Sequence, residues 1–214
     1  MRWVLGLLAL LLAAAQMGLA ADLLRAEGTA GGDAVLGFLG QDVSAEIDAD
    51  LQTSGVLCLN SGEVRFTAAG PARGSGTGNL ETLVVDAWIA FDATGETEDG
   101  TALRLRGGLL IDRVDAATTS TGGKGGGRFY LIVSLGDASW TCEGEAEASA
   151  SGAFVVPDDP YTMQLRGTGT FALSGELRPL DEPNHPLTLG WPDGLWSQLD
   201  ALLAPPAATA DPTP

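Results

Sequence analysis

Basic residues are the scarcest feature of this chain: it has one lysine, Lys124, one histidine, His185, and a Lys plus Arg total of 11 against 28 acidic residues. A formal net charge of −17 excludes nucleic acid as a partner, because a phosphate backbone is bound through clustered Lys and Arg. It disfavours anionic lipid surfaces for the same reason. The acidity reads as solubility and self-repulsion. With a single histidine, placed in a Pro-rich stretch, no histidine-based metal set is available, and no metal ligands are assigned. Aromatic residues make up only 6% of the chain, too few for the two interfacial girdles of an outer-membrane barrel. Helical periodicity is nearly missing before residue 193.

Cysteine is limited to two residues, Cys58 in "GVLCLN" and Cys142 in "SWTCEGEAEASA". In an exported protein an even pair reads first as a disulfide. Closing a loop of about 85 residues would contribute on the order of 4–5 kcal/mol in the chain-entropy model. The expectation of export comes from residues 1–20. Arg2 precedes an apolar run from Trp3 to Ala15, and the small residues Gly18 and Ala20 suit a peptidase cleaving after Ala20, so the segment reads as a signal peptide. Its removal takes away Arg2 and no acid, moving the net charge from −17 to −18. The mature chain is therefore expected in the periplasm or outside the cell. Abundant Ala, Gly and Leu with arginine preferred over lysine point to a GC-rich bacterial coding bias.

What the chain has in quantity is alternation with period two, the signature of strands with one buried side. In "DVSAEIDADL", Val43, Ala45, Ile47, Ala49 and Leu51 share one face, and Ser44, Glu46, Asp48 and Asp50 share the other. The pattern recurs in "EVRFTAA", "ETLVVDAWIAFD", "TALRLRGGLLID" and "YTMQLRGTGTFALSGEL". With "GVLCLN", "GRFYLIVSLG" and "SWTCEGEAEASA", the count is about eight. The expected fold is all-β and antiparallel, a barrel or sandwich of about eight strands with a short C-terminal helix.

The expected organisation is a signal peptide at 1–20, a flexible mature N-terminus at 21–40, a β domain at 41–178 and a Pro-rich segment at 179–214. Within that last segment Asp193 caps a short amphipathic helix near 193–203, with Leu195, Trp196, Leu199, Leu202 and Leu203 on one side. Its apolar stripe has two destinations, the domain itself or a partner.

Several motifs invite a chemical reading. "STGGKGGGRF" resembles a phosphate cradle only in its glycines: Lys124 is followed by Gly125 where a phosphate loop needs Ser or Thr, and the segment runs into a strand. It reads as a mobile hairpin loop from Thr118 to Gly127, and no cofactor motif is present. Glu143, Glu145 and Glu147 alternate onto one strand face about 7 Å apart, a spacing that could suit two glycosidase carboxylates. Three glutamates opposite Cys142, Gly144, Ala146 and Ala148 read more simply as a solvated face, and no convergent site marks an enzyme. Asp92, Glu96, Glu98 and Asp99 in the stretch 92–101 carry oxygen ligands that could hold Ca²⁺, without an EF-hand register. Trp88, flanked on its strand face by Asp86 and Asp92, is the candidate ligand surface.

The functional expectation is an exported, non-catalytic β domain with a structural or binding role at the cell envelope or outside the cell. Two alternatives stand beside it: a carrier barrel for an apolar small molecule, with room left by small inward residues, and a small outer-membrane barrel. The partner is correspondingly an envelope component of unknown identity or an apolar small molecule.

Overall fold

The computed structural model describes residues 21–79, 81–82, 84–114, 122–155 and 162–180. They form eight strands: β1 (Leu23–Leu39), β2 (Asp42–Leu59), β3 (Gly62–Asn79), β4 (Val84–Thr97), β5 (Ala102–Val114), β6 (Gly122–Leu135), β7 (Ala138–Val155) and β8 (Thr162–Pro179). Each strand pairs antiparallel with its sequence neighbours, and β1 pairs with β8, so the sheet closes into a barrel in chain order. Closure removes the unpaired edges that an open sheet would expose.

Alternation dictates which way each residue points. In β2, Leu51, Thr53 and Leu57 are buried while Asp50, Gln52 and Ser54 are exposed, and the same two-residue rhythm runs through β1 and β3. Apolar side chains therefore face the barrel axis. The wall is bent sharply where small residues face inward: a Cβ on Gly95 would lie 1.9 Å from the Thr67 carbonyl oxygen, so only glycine lets β3 and β4 approach there. Tight two-residue turns join several strands. At Gly136, φ is +56°, a left-handed conformation that glycine adopts without cost between Leu135 and Ala138, which pair across the β6–β7 hairpin.

The core fills one end of the barrel, where the β2–β3, β4–β5 and β6–β7 turns lie. Leu24, Leu57, Leu105, Phe129, Leu131, Val133 and Cys142 are nearly or completely buried there, with Phe66, Leu103, Leu173 and Leu177 packed among them. Each large apolar side chain buried this way contributes about 1.5–3 kcal/mol. Both described ends of the chain are tied to the same end of the barrel. The Asp22 carboxylate accepts from Asn60 N at 2.7 Å, Leu177 N donates to Asp22 O at 2.7 Å, and Leu180 N donates to Ser139 O at 2.9 Å.

Three expectations are corrected. Residues 21–40 are not a flexible lead: all but the first two and the last form β1, hydrogen-bonded on both sides, so the barrel begins at Leu23 and not at residue 41. Next, the glycine-rich hairpin loop is shorter than expected, because β6 already begins at Gly122 and Gly122–Gly127 pair with β7. Finally, "DVSAEIDADL" and "GVLCLN" are one strand, β2. The count of eight survives because that merger offsets the missed β1. The helix expected near 193–203 lies outside the described residues, as do residues 1–20.

No disulfide links Cys58 and Cys142; both are free thiols. Cys58 sits on β2 and Cys142 on β7, with β1 and β8 between them. Through the register Cys58–Leu23–Glu176–Glu143, three strand spacings of about 4.8 Å separate the two sites. They also lie on opposite faces of the wall: Cys142 points into the core, whereas Cys58, between the inward residues Leu57 and Leu59, points out. A disulfide needs Cα atoms within about 7 Å and Cβ vectors that converge, and neither condition is met. Burial, then the charges of Glu143 and Glu176, push the Cys142 thiol up to about 12.

Candidate binding site in the barrel lumen

The far half of the lumen is built differently. Inward positions there are small: Ala30, Gly32 and Ala34 on β1, Ala45 and Ala49 on β2, Gly74 and Gly76 on β3, Ala148 and Ala150 on β7, Gly167 and Gly169 on β8. The register gathers them. Ala150, Gly169 and Ala30 are successive partners across β7, β8 and β1, while Gly152, Gly167, Gly32 and Ala49 make the next row across β7, β8, β1 and β2. A third row brings Leu165, Ala34, Ile47 and Gly74 side by side.

Burial separates this half from the other. Except for buried Gly74 and exposed Ala150, these positions are half-buried although they face inward, whereas most inward residues of the filled half are buried. Half-exposure at an inward-facing alanine means that water reaches the lumen. The filled half begins at Leu51, Ala72 and Phe91, buried residues that pair with Ala30, Ala49 and Ala72 respectively. The result is an apolar cup open at the end where β1 turns into β2, with Leu36, Val43, Ile47, Met163 and Leu165 toward its mouth.

The electrostatics of the cup are simple. Among the described residues no inward-facing position carries a charge. Thr53, an inward polar residue just past Leu51 in the filled half, is already satisfied, its Oγ1 donating to Glu27 O at 2.9 Å. Such a lining favours an uncharged, apolar guest; an ion brought there would lose its hydration without a partner.

The outer wall holds the remaining candidates. Trp88, Asp86 and Asp92 do share the outer face of β4 as expected, but Asp92 is engaged: Arg104 Nε and Nη2 donate to its two oxygens at 2.8 and 2.5 Å, and Arg106 Nε lies 3.8 Å away. That fork raises the Arg104 pKa, with the hydrogen bond to Asp92 the larger cause. Of the stretch read for Ca²⁺, Asp92 and Glu96 belong to β4, Glu98 pairs with Arg65 at 3.6 Å, and Asp99 caps the turn. Asp99 accepts from Thr97 Oγ1 and from Thr101 N, which lowers its pKa. Asp92, Glu98 and Asp99 therefore engage different partners, and among the described residues no cluster of three ligands suited to a metal occurs.

Glu143, Glu145 and Glu147 line the outer face of β7, with Arg178 3.4 Å from Glu143 and Arg113 3.2 Å from Glu145. A depression of about 1450 Å³ follows one register row of the barrel, lined by Glu27, Glu96 and Glu147 on three separate strands together with Arg113 and Lys124. Sequence reasoning missed the β1 side of the cup altogether. The only signal was a faint alternation of Gly28, Ala30, Gly32 and Ala34 with Glu27, Thr29, Gly31 and Asp33.

Comparison with protein-family models, with curated proteins and with solved structures gives no match, so the functional reading rests on the lumen and the wall themselves.

Proposed function

We propose that this chain is an exported, non-catalytic binding barrel that takes an uncharged apolar small molecule into the open half of its lumen. The observation that carries the reading is the half-exposure of inward Ala30, Gly32, Ala34, Ala45 and Ala49, with Ala150 exposed, beside a filled core. Small side chains at successive register positions leave space that larger ones fill elsewhere in the same wall. Export is supported by the signal-like residues 1–20, with the mature barrel in the periplasm or outside the cell. The wall weighs against the outer-membrane alternative. Charged residues point outward on all eight strands, among them Asp33, Asp48, Arg65, Asp92, Arg104, Arg128, Glu145 and Arg166. Each arginine on a lipid-facing wall would cost about 2–4 kcal/mol near the bilayer midplane, and each carboxylate somewhat less.

Titration of residues 21–214 with the neutral fluorophore N-phenylnaphthylamine tests the reading. Saturable enhancement is expected, lost in the lumen-filling double variant Ala34→Phe/Ala150→Phe and kept in the outward control Ser151→Phe. Absence of saturable binding, or equal binding by the filled and control variants, would sink the proposal.

A further inference from the structure

Strand register fixes how deep the open half of the lumen is. Followed through β7 and β8, the row of Phe129 reaches β1 at Leu24; followed through β5, β4, β3 and β2, the same row reaches β1 at Ala34. The two arrivals are ten residues apart on one strand, so the sheet closes with a shear of ten. Positions level with one another along the barrel axis therefore shift by just over one residue from each strand to the next.

At the level of Gly28 stand Leu51, Phe91, Leu109 and Phe171, a floor of large side chains in which the Phe171 ring takes the space that a Cβ on Gly28 would need. Above it, β1, β7 and β8 present only small residues for three levels. Ala30, Ala148 and Gly169 form the first, Gly32, Ala150 and Gly167 the second, and Ala34 and Gly152 belong to the third. Ile47, Ile89 and Ile111 project from β2, β4 and β5 at these heights, so the free space runs along the β7, β8 and β1 side. Large residues return at Leu36, Val43, Met163 and Leu165, where Leu36 and Met163 are register partners. The open half is thus a chamber between a floor and a collar.

Its dimensions follow from strand geometry. Gly28 and Leu36 are eight residues apart on β1, which at about 3.3 Å per residue and a tilt of about 40° places floor and collar roughly 20 Å apart along the axis. Contact with the floor takes about 4 Å of that. Eight strands about 4.8 Å apart enclose a wall of about 8 Å radius, and inward side chains narrow the bore to roughly 9 Å or less. A chamber longer than it is wide suits an elongated guest.

We infer that the guest is a linear alkyl compound of about twelve carbons, its chain end against Phe171 and its uncharged polar end at the collar. The inference rests on the binding reading above and adds length and orientation to it. A chain of about twelve carbons, with bonds near 1.5 Å, extends over the roughly 15 Å that is free. Among the described residues the three small levels carry no inward polar side chain, so the chain end enters and the polar end stays where water reaches it. Met163 suits the collar because an unbranched thioether changes rotamer readily as a chain passes.

Displacement of bound N-phenylnaphthylamine by n-alkanols from hexanol to tetradecanol tests the length in residues 21–214. Affinity should rise about fourfold per methylene up to about dodecanol and then stay flat. Ala30→Leu raises the floor and should move this break about three carbons shorter, whereas outward Thr29→Leu should leave it in place. A rise that continues to tetradecanol, or a break that Ala30→Leu does not move, would overturn the length while fluorophore binding upholds the lumen reading. No fluorophore binding at all would overturn both. Orientation is read in the unsubstituted chain: nuclear Overhauser effects should join the dodecanol methyl to the Phe171 ring and the carbinol CH₂ to the Met163 methyl. The reverse pairing, or neither contact, would contradict the inference.

Discussion

The two halves of the lumen share a wall, an inward parity and nearly the same strands, yet one is a core and the other a cup. In the filled half, inward positions hold Leu, Phe and Val, so the space inside the wall is occupied. In the open half the same strands present Ala and Gly at inward positions such as Ala30, Ala34, Ala45 and Ala49, and water enters. Closure of the sheet thus does not decide whether a barrel has a cavity; residue volume at inward positions decides it. Stability and binding are divided along the barrel axis.

The sharpest way to break this comparison is to remove one large side chain from each half. Phe129→Ala, at a position with no accessible surface, should cost about 3–5 kcal/mol in urea unfolding. Ile47→Ala, in the half-exposed cup, should cost about 1 kcal/mol, since little packed surface is lost. Equal losses would mean that the cup is as well packed as the core.

The next effect concerns glycines. Gly95→Ala forces a Cβ to 1.9 Å from Thr67 O and should destabilise by about 1–3 kcal/mol or more. Gly31→Ala, which faces outward with its nearest neighbour 3.9 Å away, should change stability by less than about 0.5 kcal/mol. A neutral Gly95→Ala would show that the wall is not sharply bent there.

These contrasts show what could be read from the chain and what could not. The face assignments of "DVSAEIDADL" were legible because charge alternates with Val, Ile and Leu. β1 was not, because Ala and Gly alternating with Thr and Gly provide almost no hydropathy contrast, and small residues are common in flexible segments too. The glycine run at 122–127 failed for the same reason: its inward glycines serve close strand approach, which sequence alone cannot separate from a loop. The disulfide expectation neglected a signal that was available. Parity in "GVLCLN" sets Cys58 opposite Leu57 and Leu59, while parity in "TCEGEAEAS" sets Cys142 opposite the glutamates, so the two thiols belong to opposite faces. The closure of the sheet, and hence the cup, depended on register between β1 and β8, which no local pattern encodes.

Cysteine chemistry offers a smaller effect that separates core from surface. Native alkylation should modify Cys58 first and leave Cys142 unreacted until the chain unfolds. Protection of both thiols in unfolded, unreduced chain would restore the disulfide. The raised Cys142 pKa also has a sign. Between pH 9.0 and about 12 the unfolded chain releases the thiol proton and the folded chain keeps it, so stability present below that window declines as pH rises through it. Cys142→Ala should flatten this part of the pH profile; an unchanged slope would show that the thiol does not contribute.

The smallest effect should come from the outer wall of β7. Glu143→Gln, Glu145→Gln and Glu147→Gln should each change the thermal midpoint by the equivalent of about 0.5 kcal/mol or less, because the arginine pairs of Glu143 and Glu145 are solvated and Glu147 is exposed. A large loss from any one would mark a role beyond a solvated face.

The division of the lumen is tested most directly by methyl NMR of residues 21–214 during titration with decanol. Shifts should be confined to Leu36, Val43, Ile47, Met163 and Leu165, with Leu24, Leu57, Leu105 and Leu131 silent. Shifts spread evenly over both groups, or none in the cup, would contradict a barrel that is core at one end and binding site at the other.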